Sequence, residues 1–196
     1  MSHKGYKLTS VLDFSRDLDR INDFSYNHNS YIYSLLDSDK IDPVSSRILF
    51  SLYPRHRVFA TVLCEYQLRY SEAILLRPER LFCDKTLQIF QPKTRAARSV
   101  NNSFRVDFFC HYANWRGFNI FPSSYESLKL DIFRCTPRCV KRLTRDIKDG
   151  THIFRHLWAS YKLMQGVQPA TIGLALGHSR NTSVYSYLHE ELADIF

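Results

Sequence analysis

No stretch of this 196-residue chain stays apolar for long enough to span a bilayer as a helix, which excludes a helical membrane protein. No charged start followed by a short apolar run opens it either. Met1-Ser2-His3-Lys4 leads straight into polar residues, so export is not expected and the expected compartment is the cytoplasm. Cysteine is sparse and odd in number: Cys64, Cys83, Cys110, Cys135 and Cys139 are scattered through apolar segments, which argues against a disulfide framework and for a reducing environment. Cys135 and Cys139 are spaced to sit one helical turn apart, but no second close pair exists to complete a zinc site, and two half-buried thiols are the better reading. Internal repeats, low-complexity tracts and Gly/Ser linkers are all absent, so nothing marks a chain of several modules. A chain of this length buries one substantial core and leaves little room for a second.

What is present in quantity is apolar residues, at 44%, and positive charge, at a net +8. The apolar fraction is too high for a disordered chain. The charge is unevenly placed. Only five of the 27 Lys and Arg precede Pro43, against seven of the 19 acids, so the leading segment is acidic and the remainder carries a surplus of ten positive charges. A surplus of that size on one compact domain is the usual footprint of phosphate-backbone binding, although alone it does not separate DNA from RNA or acidic lipid.

Turn signals and apolar spacing predict a mainly helical chain with one small antiparallel sheet. Val11, Leu12, Phe14, Leu18, Ile21 and Phe24 outline a helix within a short N-terminal extension, residues 1–40, with the boundary near Asp37–Asp42. Asp42-Pro43 is a helix start with Ile48, Leu49 and Leu52 on its apolar side. A longer helix is expected over Val58–Leu76, burying Phe59, Val62, Leu63 and Tyr66 and stopped by Pro78. Leu81–Cys83, Leu87–Phe90 and Ser99–Val100 read as short strands. Helices return with Thr136 as N-cap and Pro137 in the first turn, stopping at Asp149-Gly150. The next opens at Thr151, buries Phe154, Leu157, Trp158 and Tyr161, and ends at Gly166. Another runs from Pro169 to Gly177, and a last helical segment from about Asn181 carries Tyr185 and Tyr187.

His152, Arg155 and His156 are spaced three and four residues apart, which places them on one helical face opposite an apolar one. Such a strip is either a solvated surface or the wall of an anion site. Downstream stand Leu176-Gly177-His178 and, nine residues after His178, Tyr187-Leu188-His189. Together these resemble the tyrosine site-specific recombinase (phage integrase) family, whose C-terminal signature reads His-x-x-Arg, Leu-Gly-His, Tyr-x-His, with the family's usual spacing from His152 to His178 and on to Tyr187. Upstream, Gln67-Leu68-Arg69-Tyr70-Ser71-Glu72 resembles the family's Gly-Leu-Arg-Ile-Ser-Glu, with Gln67 replacing the glycine, and Pro92-Lys93-Thr94 resembles the Lys-Thr pair that supplies its lysine. The similarity covers about residues 41–196, its tail section being the more specific part.

The resemblance implies an α+β catalytic domain of the recombinase type over 41–196, in a compact form lacking a full core-binding domain. It implies cleavage and rejoining of DNA through a 3′-phosphotyrosine. In-line attack on a phosphodiester builds negative charge on the non-bridging oxygens, and two guanidiniums meet it with fixed, permanently charged donors. Arg69 and Arg155 take that role, aided by His152 and His178, with His152 also helping to accept the phenolic proton. Tyr187 is the nucleophile; Tyr185, two residues away, competes with it and is less well placed. Lys93 protonates the leaving oxygen, although Lys85, Arg95 and Arg98 crowd the same hairpin. Glu72 orients the cationic cluster. No metal and no nucleotide cofactor is implied. The implied partners are double-stranded DNA at specific sites, a homotetramer assembled on it from monomers or dimers, and accessory DNA-bending proteins; no membrane is involved, and a nucleoid location follows.

Arg138, Lys141, Arg142, Arg145 and Lys148 recur at helical spacing opposite Val140, Leu143 and Ile147. In isolation such a basic face is usually just solvated; beside a phosphate site it is expected to contact DNA. Leu192, Ile195 and Phe196 suit either docking on a neighbouring subunit or packing within the chain. Two rival activities share much of this pattern: a type IB topoisomerase-like enzyme, and a recombinase-derived DNA-binding or regulatory protein that does not cut.

Overall fold

The structure is a computed structural model, which describes residues 28–75, 86–91, 96–101, 125–144 and 150–178, together with Tyr185, Leu192, Ile195 and Phe196. The helix expected over Val11–Phe24, the strand at Leu81–Cys83 and the segment carrying Tyr187 lie outside the described residues. The described chain opens in a helix over residues 28–37 (α1) and continues through α2 (Pro43–Ser51), α3 (Pro54–Glu65) and α4 (Tyr70–Ala73). Strands β1 (Thr86–Gln91) and β2 (Ala96–Asn101) follow, then α5 (Tyr125–Cys135), α6 (Arg138–Leu143), a 3-10 turn at Gly150–His152, α7 (Ile153–Met164) and α8 (Pro169–Ala175).

Local chemistry accounts for the boundaries. Asp42 caps α2: one carboxylate oxygen accepts the Ser45 N–H at 2.7 Å, the other accepts the Ser45 hydroxyl, and Pro43 occupies the first turn, where its missing N–H costs nothing. Helix α3 begins at Pro54 and ends at Glu65, earlier than the sequence periodicity suggests. Apolar spacing continues through Leu76, but Gln67 adopts φ 52, and the Leu68 N–H reaches back to the Leu63 carbonyl at 3.0 Å. That six-to-one bond is the Schellman closure of a helix. The same bond closes α8, from His178 N–H to the Gly173 carbonyl at 2.9 Å around Gly177 at φ 70. Glycine takes this conformation freely; Gln67 takes it at a cost of about 1–2 kcal/mol.

Helix α5 is an element the sequence reading did not identify, and its presence changes the role of Thr136. The Thr136 hydroxyl donates back to the Ile132 carbonyl at 2.7 Å, so it ends α5 and does not cap α6, whose flanking residue is Pro137. Asp131 of α5 fastens this helix to the start of α3. Its Oδ2 accepts the Tyr53 N–H at 3.0 Å and lies 2.7 Å from His56 Nδ1, and Arg134 bonds its other oxygen at 2.8 Å.

One core draws on nearly every element. Tyr31, Ile32 and Leu35 of α1 join Ile48 and Leu49 of α2, Phe59, Val62 and Leu63 of α3, Leu128 and Ile132 of α5, and Phe154 and Leu157 of α7. The C-terminal part of the expected extension is therefore packed against the domain. Leu192 is fully buried in the same core, with Ile195 and Phe196 against it and the Phe196 ring 5.2 Å from that of Tyr161, so these three side chains pack within the chain. Trp158 and Tyr161, expected in the core, are only half-buried: Trp158 packs against a smaller cluster of Ala159, Ile172 and Leu176, and Tyr161 against Phe196.

β1 and β2 pair antiparallel with Gln91 opposite Ala96, leaving residues 92–95 as the connection. Ile89 inserts into the core, and β1 packs against α4. Among the described residues no helix is long and apolar enough to cross a membrane, and no group of three or more His, Cys, Asp or Glu is placed to hold a metal ion. Cys135 is half-buried and Cys139 exposed.

His28 gives the fold a specific pH response. Burial, with the Arg57 charge second, pushes its pKa down to about 3 from 6.5. Thr61 Oγ1 donates to the Arg57 carbonyl and so accepts from neutral His28 Nε2–H at 2.9 Å. The unfolded chain therefore binds a proton that the native chain refuses, and the stability His28 contributes above pH 6.5 is lost as pH falls toward 3. Asp42 works the other way, since burial raises its carboxyl to about 6 and the native state holds a proton between 3.8 and 6. His28→Asn is expected to flatten the fall in Tm between pH 7 and 4; a slope equal to that of the unchanged protein would show that His28 is not the acid-sensitive group.

Candidate active site

The residues singled out on α7 do not form a solvated strip. Arg155 has no exposed surface and His156 is 8% exposed, because α7 is packed by α2, α3 and α8. Periodicity shows that these groups share a face, but which face the protein covers is a tertiary matter.

The buried guanidinium of Arg155 joins two distant segments. Its Nη1 donates to the Gln67 carbonyl and its Nη2 to the Leu176 carbonyl at 2.8 Å. Gln67 lies two residues before Arg69, and Leu176 lies two residues before His178. Each acceptor belongs to a helix-closing turn, at the ends of α3 and α8, so a charged fork with fixed geometry sets the distance between the two turns. Arg69 and His178 both leave their turns immediately afterwards.

Arg69 precedes α4, with Glu72 one turn on. The Glu72 carboxylate accepts the Arg69 backbone N–H at 3.0 Å and pairs with Arg69 Nη1 at 2.6 Å. Glu72 is 1% exposed and the Arg69 side chain 23%, so a buried carboxylate holds a guanidinium that reaches the surface. His152 ends the 3-10 turn and flanks α7, half-buried, and His178 is also half-buried. Arg155 and His152 thus lie on and beside α7, His178 follows α8, which packs on it, and Arg69 with Glu72 follows the closing turn of α3 that the Arg155 fork binds.

A further contact was not legible in the sequence. Gln91, at the end of β1, donates its side-chain amide to the Gly177 carbonyl at 3.3 Å, linking the hairpin to the turn that carries His178. Its only sequence signal is a polar residue two positions after Ile89, on the face that strand periodicity assigns to the interior. Gln67 had a clearer signal. The glycine that the resemblance places there marks a position of positive φ, and Gln67 keeps that conformation while its side-chain amide donates to the Cys64 carbonyl.

Lys93, Tyr187, Arg145 and Lys148 lie outside the described residues. Tyr185 is 64% exposed. On α6, Arg138 and Arg142 are exposed while Val140 is buried, and the Lys141 ammonium lies 4.3 Å from the centre of the Phe133 ring. The short helix therefore presents basic side chains outward.

No protein-family model matches the sequence, and no curated protein matches it. Among solved structures, the chain is similar to the catalytic domain of bacteriophage HP1 integrase, with a TM-score of 0.52 and 20% sequence identity over 79% of this chain and 92% of that one. At that identity the likeness is one of fold. The mostly helical architecture is thus similar to that of an integrase catalytic domain.

Proposed function

We propose that this chain is a tyrosine recombinase that cleaves and rejoins DNA at specific sites. The observation that carries the reading is the Arg155 fork, because it brings together the Arg69 and His178 segments, which lie more than a hundred residues apart and resemble the same catalytic signature. In the proposed reaction the phosphodiester is held by Arg69 from the surface, with Arg155 adding positive charge from below, where low dielectric strengthens it. The Tyr187 phenol attacks phosphorus, forming the Oη–P bond as the P–O5′ bond breaks. His152 helps to take the phenolic proton, and Lys93 protonates the departing 5′ oxygen. The reverse attack by a 5′-hydroxyl reseals the strand. Arg138 and Arg142, with Lys141, Arg145 and Lys148, supply phosphate contacts along the duplex, and two duplexes require four copies of the chain.

The test uses nicked suicide duplexes tiled across the DNA flanking the protein's own gene. The expected result is a covalent protein–DNA adduct on a denaturing gel, absent for Tyr187→Phe and retained for Tyr185→Phe. DNA retardation without an adduct would replace this reading with a non-cutting DNA-binding protein, and relaxation of plasmid DNA without strand exchange would favour a type IB topoisomerase.

A further inference from the structure

We propose that Gln91 is a positioning residue that couples the Lys93 hairpin to the His178 turn, an inference that rests on the recombinase reading above. Gln91 and Ile89 share the inward face of β1, and Ile89 is fully buried in the core. Gln91 is itself only 9% exposed. A polar side chain costs stability at such a position unless it is hydrogen-bonded, and an apolar residue would fill the space without that cost.

The acceptor explains the choice. The Gly177 carbonyl and the His178 N–H belong to one peptide plane. Its oxygen takes the Gln91 amide at 3.3 Å, and its N–H donates to the Gly173 carbonyl at 2.9 Å. The plane is thus pinned on one side by the hairpin and on the other by α8, and His178 follows from it directly. On the strand side, Lys93 is two residues beyond Gln91, so covalent geometry keeps their Cα atoms within about 7 Å of each other. A two-stranded hairpin has little stability of its own. Its placement relative to the histidine turn depends on such contacts, and Gln91 makes one there.

The coupling predicts which step suffers when the amide is lost. Proton delivery to the leaving oxygen needs Lys93 in register with the phosphate, and a displacement of about 1 Å in such an arrangement can cost on the order of 10²-fold. Gln91→Leu keeps the bulk and removes the donor; Gln91→Met is a second variant of similar length. Both are first checked for native circular dichroism and unchanged DNA retardation. Adduct formation is then timed on an ordinary suicide duplex and on one with sulfur replacing the bridging 5′ oxygen at the scissile phosphate. With sulfur, the Oη–P bond forms and the P–S bond breaks, and the thiolate departs without needing a proton.

The expected result is about 10²-fold slower adduct formation on the oxygen duplex, near-normal rates on the sulfur duplex, and no additional slowing when Gln91→Leu is combined with Lys93→Ala. Unaltered rates on the oxygen duplex, or equal slowing on both duplexes, overturn the assignment, the second outcome placing the effect of Gln91 on a step other than proton delivery by Lys93. If the unchanged chain forms no adduct with either duplex, it is the recombinase reading that fails, and this outcome is distinct from the other two.

Discussion

Arg155→Met is expected to lower stability by about 2–4 kcal/mol and to reduce covalent adduct formation by at least about 10³-fold. Two hydrogen bonds from a charged donor are lost, leaving the Gln67 and Leu176 carbonyls buried without them. Each such bond contributes about 1.5–3 kcal/mol, while removing a fully desolvated charge returns part of that sum. Arg155→Lys discriminates between charge and geometry. A single ammonium cannot span two carbonyls as a planar fork does, so the lysine variant is expected to be no more stable than the methionine variant. Urea denaturation with an unchanged m-value measures the effect. A melting curve superimposable on that of the unchanged protein would remove the fork from the account of how the site is assembled.

Glu72 is expected to separate two functions of one carboxylate. Glu72→Gln keeps an acceptor for the Arg69 N–H but gives up the ion pair at 2.6 Å, and should cost about 1–2 kcal/mol, while Glu72→Ala also loses the start of α4 and should cost about 2–3 kcal/mol. Adduct formation should fall about 10- to 100-fold in both, because Arg69 is no longer held in one orientation. Since Glu72 is almost completely buried, added salt should barely alter the difference between the variants. If Glu72→Ala matches the unchanged protein in rate, Arg69 does not depend on Glu72 for its placement.

The limits of the sequence follow from its particular residues. Asp42-Pro43, Pro169 and Gly177 announce helix ends because their constraints are local: a capping carboxylate, a missing N–H, a positive φ. Gln67 hides an end of the same kind, since glutamine as a residue type does not announce a left-handed conformation and apolar spacing runs on past it; only the glycine at that place in the resembling motif points to it. Helix α5 has little local signal although Leu128 and Ile132 carry its inward face, and only its packing on α2 and on the 3-10 turn before α7, with Asp131 bonded at the start of α3, makes that face an inside.

The linear pattern by itself supplied the candidate residues: Arg69 and Glu72, His152 and Arg155, and Leu176-Gly177-His178 with Tyr187 at a set distance. It supplied them because the resemblance to a recombinase signature lies in residue type and short-range spacing, which are written along the chain. Only the tertiary structure decided that Arg155 is buried, that its fork reaches two helix-closing turns, and that Gln91 ties the hairpin to one of them. Contacts between residues so far apart depend on how α7 packs against its neighbours, and no local spacing encodes that.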